Sequence, residues 1–375
     1  MGEPAAATNE EDDPLAHLTP EARAAAMAYI TEIRRPLSKG DPRLHHYVPK
    51  RYQARFANDK NQVIRTNVAS GDEVTVSIGA NAAIRDFYTV IDSEVGDTVS
   101  VEKILSQIDG ADGHPMDRLI HGVLFPPQPR DRFELANFIG LLAVRGPHTR
   151  RTIEAIGDMA FKMQLSLIHD KEDRARNHLR ARTGTEPTDE EVRKLLDVAG
   201  NMDDWEVAPH QNEKVRSMLT VGQHLAEGVF ARTWVVVRFP EPGPVITDNP
   251  VTMNQHPENW HPLRGVGYGT ADELWLPLDR QTALLMHLDD DSGDQVVAAP
   301  PGITVDGVNQ LVVSQAFTDV YCHPDDVERV RRLKFPDPNR PISTLSGAEF
   351  MRGSTDGINA APVRRAPFRY KPGRD

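Results

Sequence analysis

Two adjacent histidines open the stretch His45-His46-Tyr47-Val48-Pro49-Lys50-Arg51-Tyr52, which also holds two cations and two phenols. A neutral imidazole ligates metals and accepts protons near neutral pH, so either His45 or His46 is a candidate catalytic base or ligand. Neighbours in an extended segment point to opposite faces, so at most one of the two faces any single site. The other packs in the core or meets solvent.

Asp248 is the second candidate. In Ile246-Thr247-Asp248-Asn249-Pro250 an apolar strand delivers the carboxylate to the strand's C-terminal end, where ligand-binding groups collect, and Asn249-Pro250 turns the chain at once. The same residues also suit an Asx-turn in which Asp248 or Asn249 accepts backbone amides. Arg145, in Arg145-Gly146-Pro147-His148, ends an apolar helical pattern. It either caps the helix and pairs with an acid or holds a carboxylate or phosphate in its planar fork. Glu102 and Asp109 stand seven apart and share one face of a helix, as cleft lining or as a surface pair.

The elements that must position these groups are readable from period and punctuation. Gln62–Thr66 and Glu73–Ser77 flank Ser70-Gly71-Asp72 and read as a hairpin, with Asp86–Ile91 as a third strand. From Ser100 the period becomes helical, with helices expected from Ser100, through Phe133–Ala143, from His148 to about Arg182, from a capping box at Thr188-Asp189-Glu190-Glu191, and over Gln211–Phe230. Trp234–Val237, Val245-Ile246, Leu274–Leu278 and Ala283–His287 are short apolar runs bounded by breakers, which read as central strands of a second sheet. Thr304 caps a further helix, Val320–Cys322 forms a strand and Pro324–Leu333 a helix. The pattern predicts an α+β fold, a helical layer packed on a mixed or antiparallel sheet, with a small N-terminal β-hairpin region.

The chain has 375 residues, a formal net charge of −12 and one cysteine, Cys322. A single thiol excludes an intrachain disulfide and a cysteine-based zinc site. The acidic balance argues against nucleic-acid or membrane-surface binding by the whole molecule. No apolar run is long enough to span a bilayer, and the start lacks the pattern of a signal peptide, so a cytoplasmic protein is expected. Residues 1–18 read as a disordered acidic leader, 19–335 as one compact domain whose first helix ends at Pro36, and 336–375 as a weakly ordered basic tail rich in proline and glycine.

Taken together, His45-His46-Tyr47-Val48-Pro49 with Tyr52 and Phe56, Val101–Asp109, Arg145-Gly146-Pro147 and Ile246–Pro250 resemble the DUF4238 family of bacterial and fungal proteins, in order and spacing from 44 to 322. The resemblance implies kinship without a reaction, because the family's function is not established. The chain departs from the family pattern at Lys50 and Gln53, where Gln and Leu are usual, and at Asp109, more often Glu. It keeps the His and Asp248 positions. Polar residues recurring together from four segments point to a shared site.

The expectation that follows is a metal-dependent hydrolase acting on a phosphodiester or nucleotide. Asp248, Glu102 and His46 would hold Mg²⁺ or Mn²⁺, hard cations that prefer such carboxylate-rich sets. His45 or His46 would be the general base, and Arg145, Lys50 and Asn249 would bind substrate. A local basic groove of Lys50, Arg51, Arg55 and Arg65 would admit a nucleic acid. The alternative is a non-catalytic interaction protein whose polar motifs form a structural network.

Overall fold

Period-two and period-3.6 stretches of the apolar pattern become strands and helices much where they fall. The computed structural model describes residues 38, 41–92, 96–98, 100–122, 125–168, 171–204, 206–260, 266–288 and 292–337. Its first elements are β1 (Leu44–His46), α1 (Lys50–Gln53), β2 (Gln62–Asn67), β3 (Glu73–Ser77), β4 (Ala83–Arg85), β5 (Val90–Asp92) and β6 (Gly96–Thr98). The helical middle holds α2 (Ser100–His121), α3 (Pro129–Val144), α4 (Pro147–Ser166), α5 (Glu172–Thr183), α6 (Asp189–Gly200) and α7 (Gln211–Ala231). Then come β7 (Thr233–Arg238), β8 (Ile246–Thr247), β9 (Thr252–Asn254), β10 (Glu273–Pro277), β11 (Thr282–His287), β12 (Gln295–Ala298), α8 (Val305–Ser314), β13 (Asp319–Cys322) and α9 (Val327–Val330). The expected leader, the helix of 19–35 and the tail beyond 337 lie outside the described residues.

By its internal contacts the chain divides into two units, Met1–His45 with Ile84–Gln107 and His46–Ala83 with Ile108–Asp375. In the smaller, β5 and β6 pair as an antiparallel hairpin. The strand expected over Asp86–Ile91 is interrupted there. Asp86 takes a positive φ of 55°, which ends β4, and Arg43 holds its carboxylate at 2.7 Å. β5 starts only at Val90.

The larger unit is the α+β body. Its five-stranded sheet has the order β12-β7-β11-β10-β9, antiparallel except for the parallel β12–β7 pair. The run Trp234–Val237 is apolar on both faces and must be covered on both. On one face Val235, Val237, Trp275 and Leu285 pack with Val305, Val308 and Val312 of α8. On the other, the Trp234 indole donates to the Val229 carbonyl of α7. A second, four-stranded sheet, β3-β2-β13-β8, is antiparallel throughout. The N-terminal hairpin is therefore completed by strands from the far end of the chain.

Helix α3 begins with Pro129 at its first turn and Asp131 beside the helix N-terminus, and it packs along α7. A Cβ on Gly140 would lie 2.5 Å from the Gly222 carbonyl oxygen, so the two backbones touch. The pattern from His148 to Arg182 is two helices, α4 and α5. The Thr188–Glu191 capping box opens α6 as read from the sequence.

Candidate functional site

His45 and His46 diverge as strand alternation requires. His45 belongs to the smaller unit and is buried. Its Nδ1 accepts the Tyr88 N–H at 2.9 Å, which puts the ring proton on Nε2, 3.3 Å from the Pro42 carbonyl. The ring stacks parallel to Tyr88 with centroids 5.7 Å apart. Burial lowers its pKa. These are the contacts of a core histidine with both nitrogens satisfied.

His46 belongs to the larger unit and is half-buried. Burial first and the nearby Lys50 ammonium second push its pKa down to about 4, so the imidazole is neutral at neutral pH. Its Nε2 is buried without a hydrogen-bond partner.

Arg145 is the C-cap of α3, and the Gly146-Pro147 break that ends the helix turns its side chain inward. It is 1% exposed. Its Nε donates to the Tyr47 carbonyl at 2.9 Å, while Nη1 and Nη2 meet the two Asp109 oxygens at 2.8 and 3.3 Å. Asp109 thus serves as Arg145's partner. Glu102 lies in the first turn of α2, in the smaller unit.

Asp248 follows β8 and is 5% exposed. Its carboxylate accepts the backbone N–H groups of Phe317 at 2.8 Å and Thr318 at 2.7 Å, on the segment leading into β13. Burial outweighs those two donors and raises its pKa to about 7, with Asp319 adding to the rise. A Cβ on Gly146 would lie 3.2 Å from the Asp248 carbonyl, so the α3–α4 turn rests against the end of β8. Tyr47 closes the circuit, with its hydroxyl 3.2 Å from that of Tyr321. Both phenols are raised by burial, with Asp248 a further cause. Asn249 donates to the Gln315 carbonyl at 3.4 Å and accepts from the Tyr268 hydroxyl at 3.1 Å.

The larger unit thus joins Tyr47, Asp109 and Arg145 by hydrogen bonds, and sets Asp248, held by its own two amides, near enough to Tyr47 and Tyr321 for its charge to act on both phenols. The basic groove residues fare differently. Lys50 is exposed, Arg55 pairs with Asp117 at 2.6 Å, and Arg51 donates to the Gly110 carbonyl with the same Asp117 carboxylate 4.0 Å away, so one carboxylate offsets part of the positive charge of the stretch. Among the described residues, no three His, Cys, Asp or Glu side chains stand where they could hold a metal ion.

Sequence reasoning missed the Tyr47–Tyr321 pair and Gln53. Gln53 is buried and donates to the Val48 carbonyl while accepting from Asn81. A phenol carries no motif, but a glutamine amid core aromatics was a signal that a buried amide bridges two loops.

These contacts define the class, an α+β protein whose motif residues are knit into its interior. A family model described as a protein of unknown function, DUF4238, matches residues 44–326. The chain belongs to that family. No curated protein and no solved structure matches it. No helix among the described residues is long and apolar enough to cross a membrane.

Proposed function

We propose that this chain is a non-catalytic interaction protein whose family motifs lock the helical layer to the two sheets, leaving partner binding to exposed charged elements such as α5 and α6. One observation carries this reading: the two residues a hydrolase would need for phosphate and metal already have interior partners. Arg145 bonds Tyr47 and Asp109, and both Asp248 oxygens accept backbone amides. The helix pair α5–α6 shows mixed charge held in surface ion pairs, with Arg176 bridging Glu172 and Asp189. Such a surface discriminates partners by charge pattern more than by affinity.

The test is a thermal-shift series on the full chain with Mg²⁺, Mn²⁺ and nucleotides, for wild type, Asp248→Asn and Arg145→Gln. The expected result is that both variants melt lower and that no additive raises the wild-type midpoint. A metal- or nucleotide-dependent rise in wild type, abolished in Asp248→Asn without a fall in its basal midpoint, overturns the proposal.

A hydrolytic reading has one observation in its favour, the neutral His46 imidazole with an unpartnered Nε2 beside Lys50. A group of that kind accepts a proton or hydrogen bond from a substrate. Phosphodiester or nucleotide turnover by wild type, lost in His46→Gln at unchanged stability, would select that reading instead.

A further inference from the structure

The two edges of the five-stranded sheet are treated differently. At β9 the edge is closed by a side chain: Gln315 accepts the Met253 N–H at 3.0 Å and donates to the Met253 carbonyl at 2.6 Å, imitating a neighbouring strand. At the other edge stands β12, which pairs only with β7. The Ala299 N–H donates to the Arg238 carbonyl of β7 at 2.8 Å. Because backbone groups alternate sides along a strand, Val297 and Gln295 also face β7, while Val296 and Ala298 turn their N–H and C=O outward. Among the described residues no backbone group meets them.

The side chains of this edge are uncharged: Gln295, Val296, Val297 and Ala298. Val297 packs toward the α8 face, so Val296 points to the opposite face, beside α7 and α3, and is 39% exposed. That face continues the apolar surface. Arg132 of α3 lies over the Phe230 ring at 5.5 Å and pairs with Asp294, the residue before β12, which ties Phe230 to this edge. Phe230 is 39% exposed, and Phe133, next to Arg132, is 61% exposed.

We infer that β12 pairs with β12 of a second copy of this chain, antiparallel and centred on Val296, to join two five-stranded sheets into one. A two-fold axis through the Val296 pair sets outward N–H and C=O against outward C=O and N–H at 296, and sets Ala298 opposite Asp294. No charge faces a like charge in this register. The two Val296 side chains meet on the helical face, where Arg132 ties the half-exposed Phe230 of each copy to this edge. Self-complementarity is what selects a second copy over a foreign strand. The edge offers outward groups, apolar surface and register that satisfy one another without any other partner.

The test uses the full chain and analytical ultracentrifugation across a concentration series. Wild type is expected to reach a doubled mass at micromolar concentration. Val296→Pro removes an outward N–H and the valine side chain without taking a hydrogen bond from β7, and Val296→Lys places two cations on the axis; each is expected to remain monomeric with an unchanged circular-dichroism spectrum. Register is read by oxidation, since the native Cys322 is buried. Val296→Cys is expected to cross-link as a dimer, whereas Ala298→Cys, roughly 13 Å from its counterpart in this register, is not. A wild type that stays monomeric, a dimer that survives both Val296 variants, or equal cross-linking by the two cysteine variants each overturns the inference.

Discussion

Asp248 is held by two opposed influences, burial that disfavours its charge and two backbone donors that favour it, and burial wins. Its folded-state pKa of about 7 lies above the ordinary 3.8. The folded protein therefore retains a proton that the unfolded chain releases. The resulting stabilisation is whole below about pH 3.8 and is lost as pH rises through about 7. His46 works in the opposite sense. With a folded value near 4 against an ordinary 6.5, its contribution is present above pH 6.5 and lost as pH falls through 4. The groups facing Asp248 are Tyr47, Tyr321 and Asp319, so Asp319, also raised by burial, adds to the same slope. Between pH 4 and 7 the urea midpoint of wild type should fall relative to that of Asp248→Asn, and parallel curves would show that the carboxyl does not titrate there. Arg145→Ala should lower stability by about 3 kcal/mol, the low end for a broken buried pair, because Asp109 is partly exposed. Chemical denaturation measures it. A loss under 1 kcal/mol would mean that the network does not hold the fold.

At the scale of elements, the α3–α7 contact is the tightest joint. A methyl on Gly140 meets backbone, the Gly222 oxygen at 2.5 Å and the Ala226 nitrogen at 2.6 Å, whereas one on Gly222 meets the flexible Leu141 side chain at 2.7 Å. Backbone cannot rotate away and a leucine tip can. Gly140→Ala should therefore cost about 2–3 kcal/mol in denaturant melts and Gly222→Ala less, with the reverse ranking counting against backbone contact at this crossing. The α6 capping box is exposed and local. Thr188→Ala should cost about 1 kcal/mol, seen as reduced helicity of this arm more than as a change in the global midpoint.

Across the whole molecule, protection should follow cover. β7, β10 and β11 are buried on both faces, while α5 and α6 are mostly exposed and bury only a small cluster in which Leu195 and Ala199 of α6 meet Phe161 and Leu165 of α4. Hydrogen exchange is expected to be slowest in the three strands and fastest, among the helices, in α5 and α6. Comparable rates in both would mean that the arm is part of the cooperative core.

What was legible from the residues alone was local. The hairpin at Ser70-Gly71-Asp72, the Thr188 box, the Thr304 cap and the apolar runs of β7, β10 and β11 are set by turn chemistry and period, which act over a few residues. The divergence of His45 and His46 followed from alternation, and the family from the motif residues themselves. Only the tertiary structure decided that Arg145 meets Asp109 and Tyr47, that Asp248 serves the amides of Phe317 and Thr318, and that β13 completes the N-terminal hairpin's sheet. Those partners lie 36 to 98 residues away for Arg145 and 69 to 70 for Asp248. A side chain's type limits which bonds it can make, but which group stands within 3 Å of it depends on how distant elements pack.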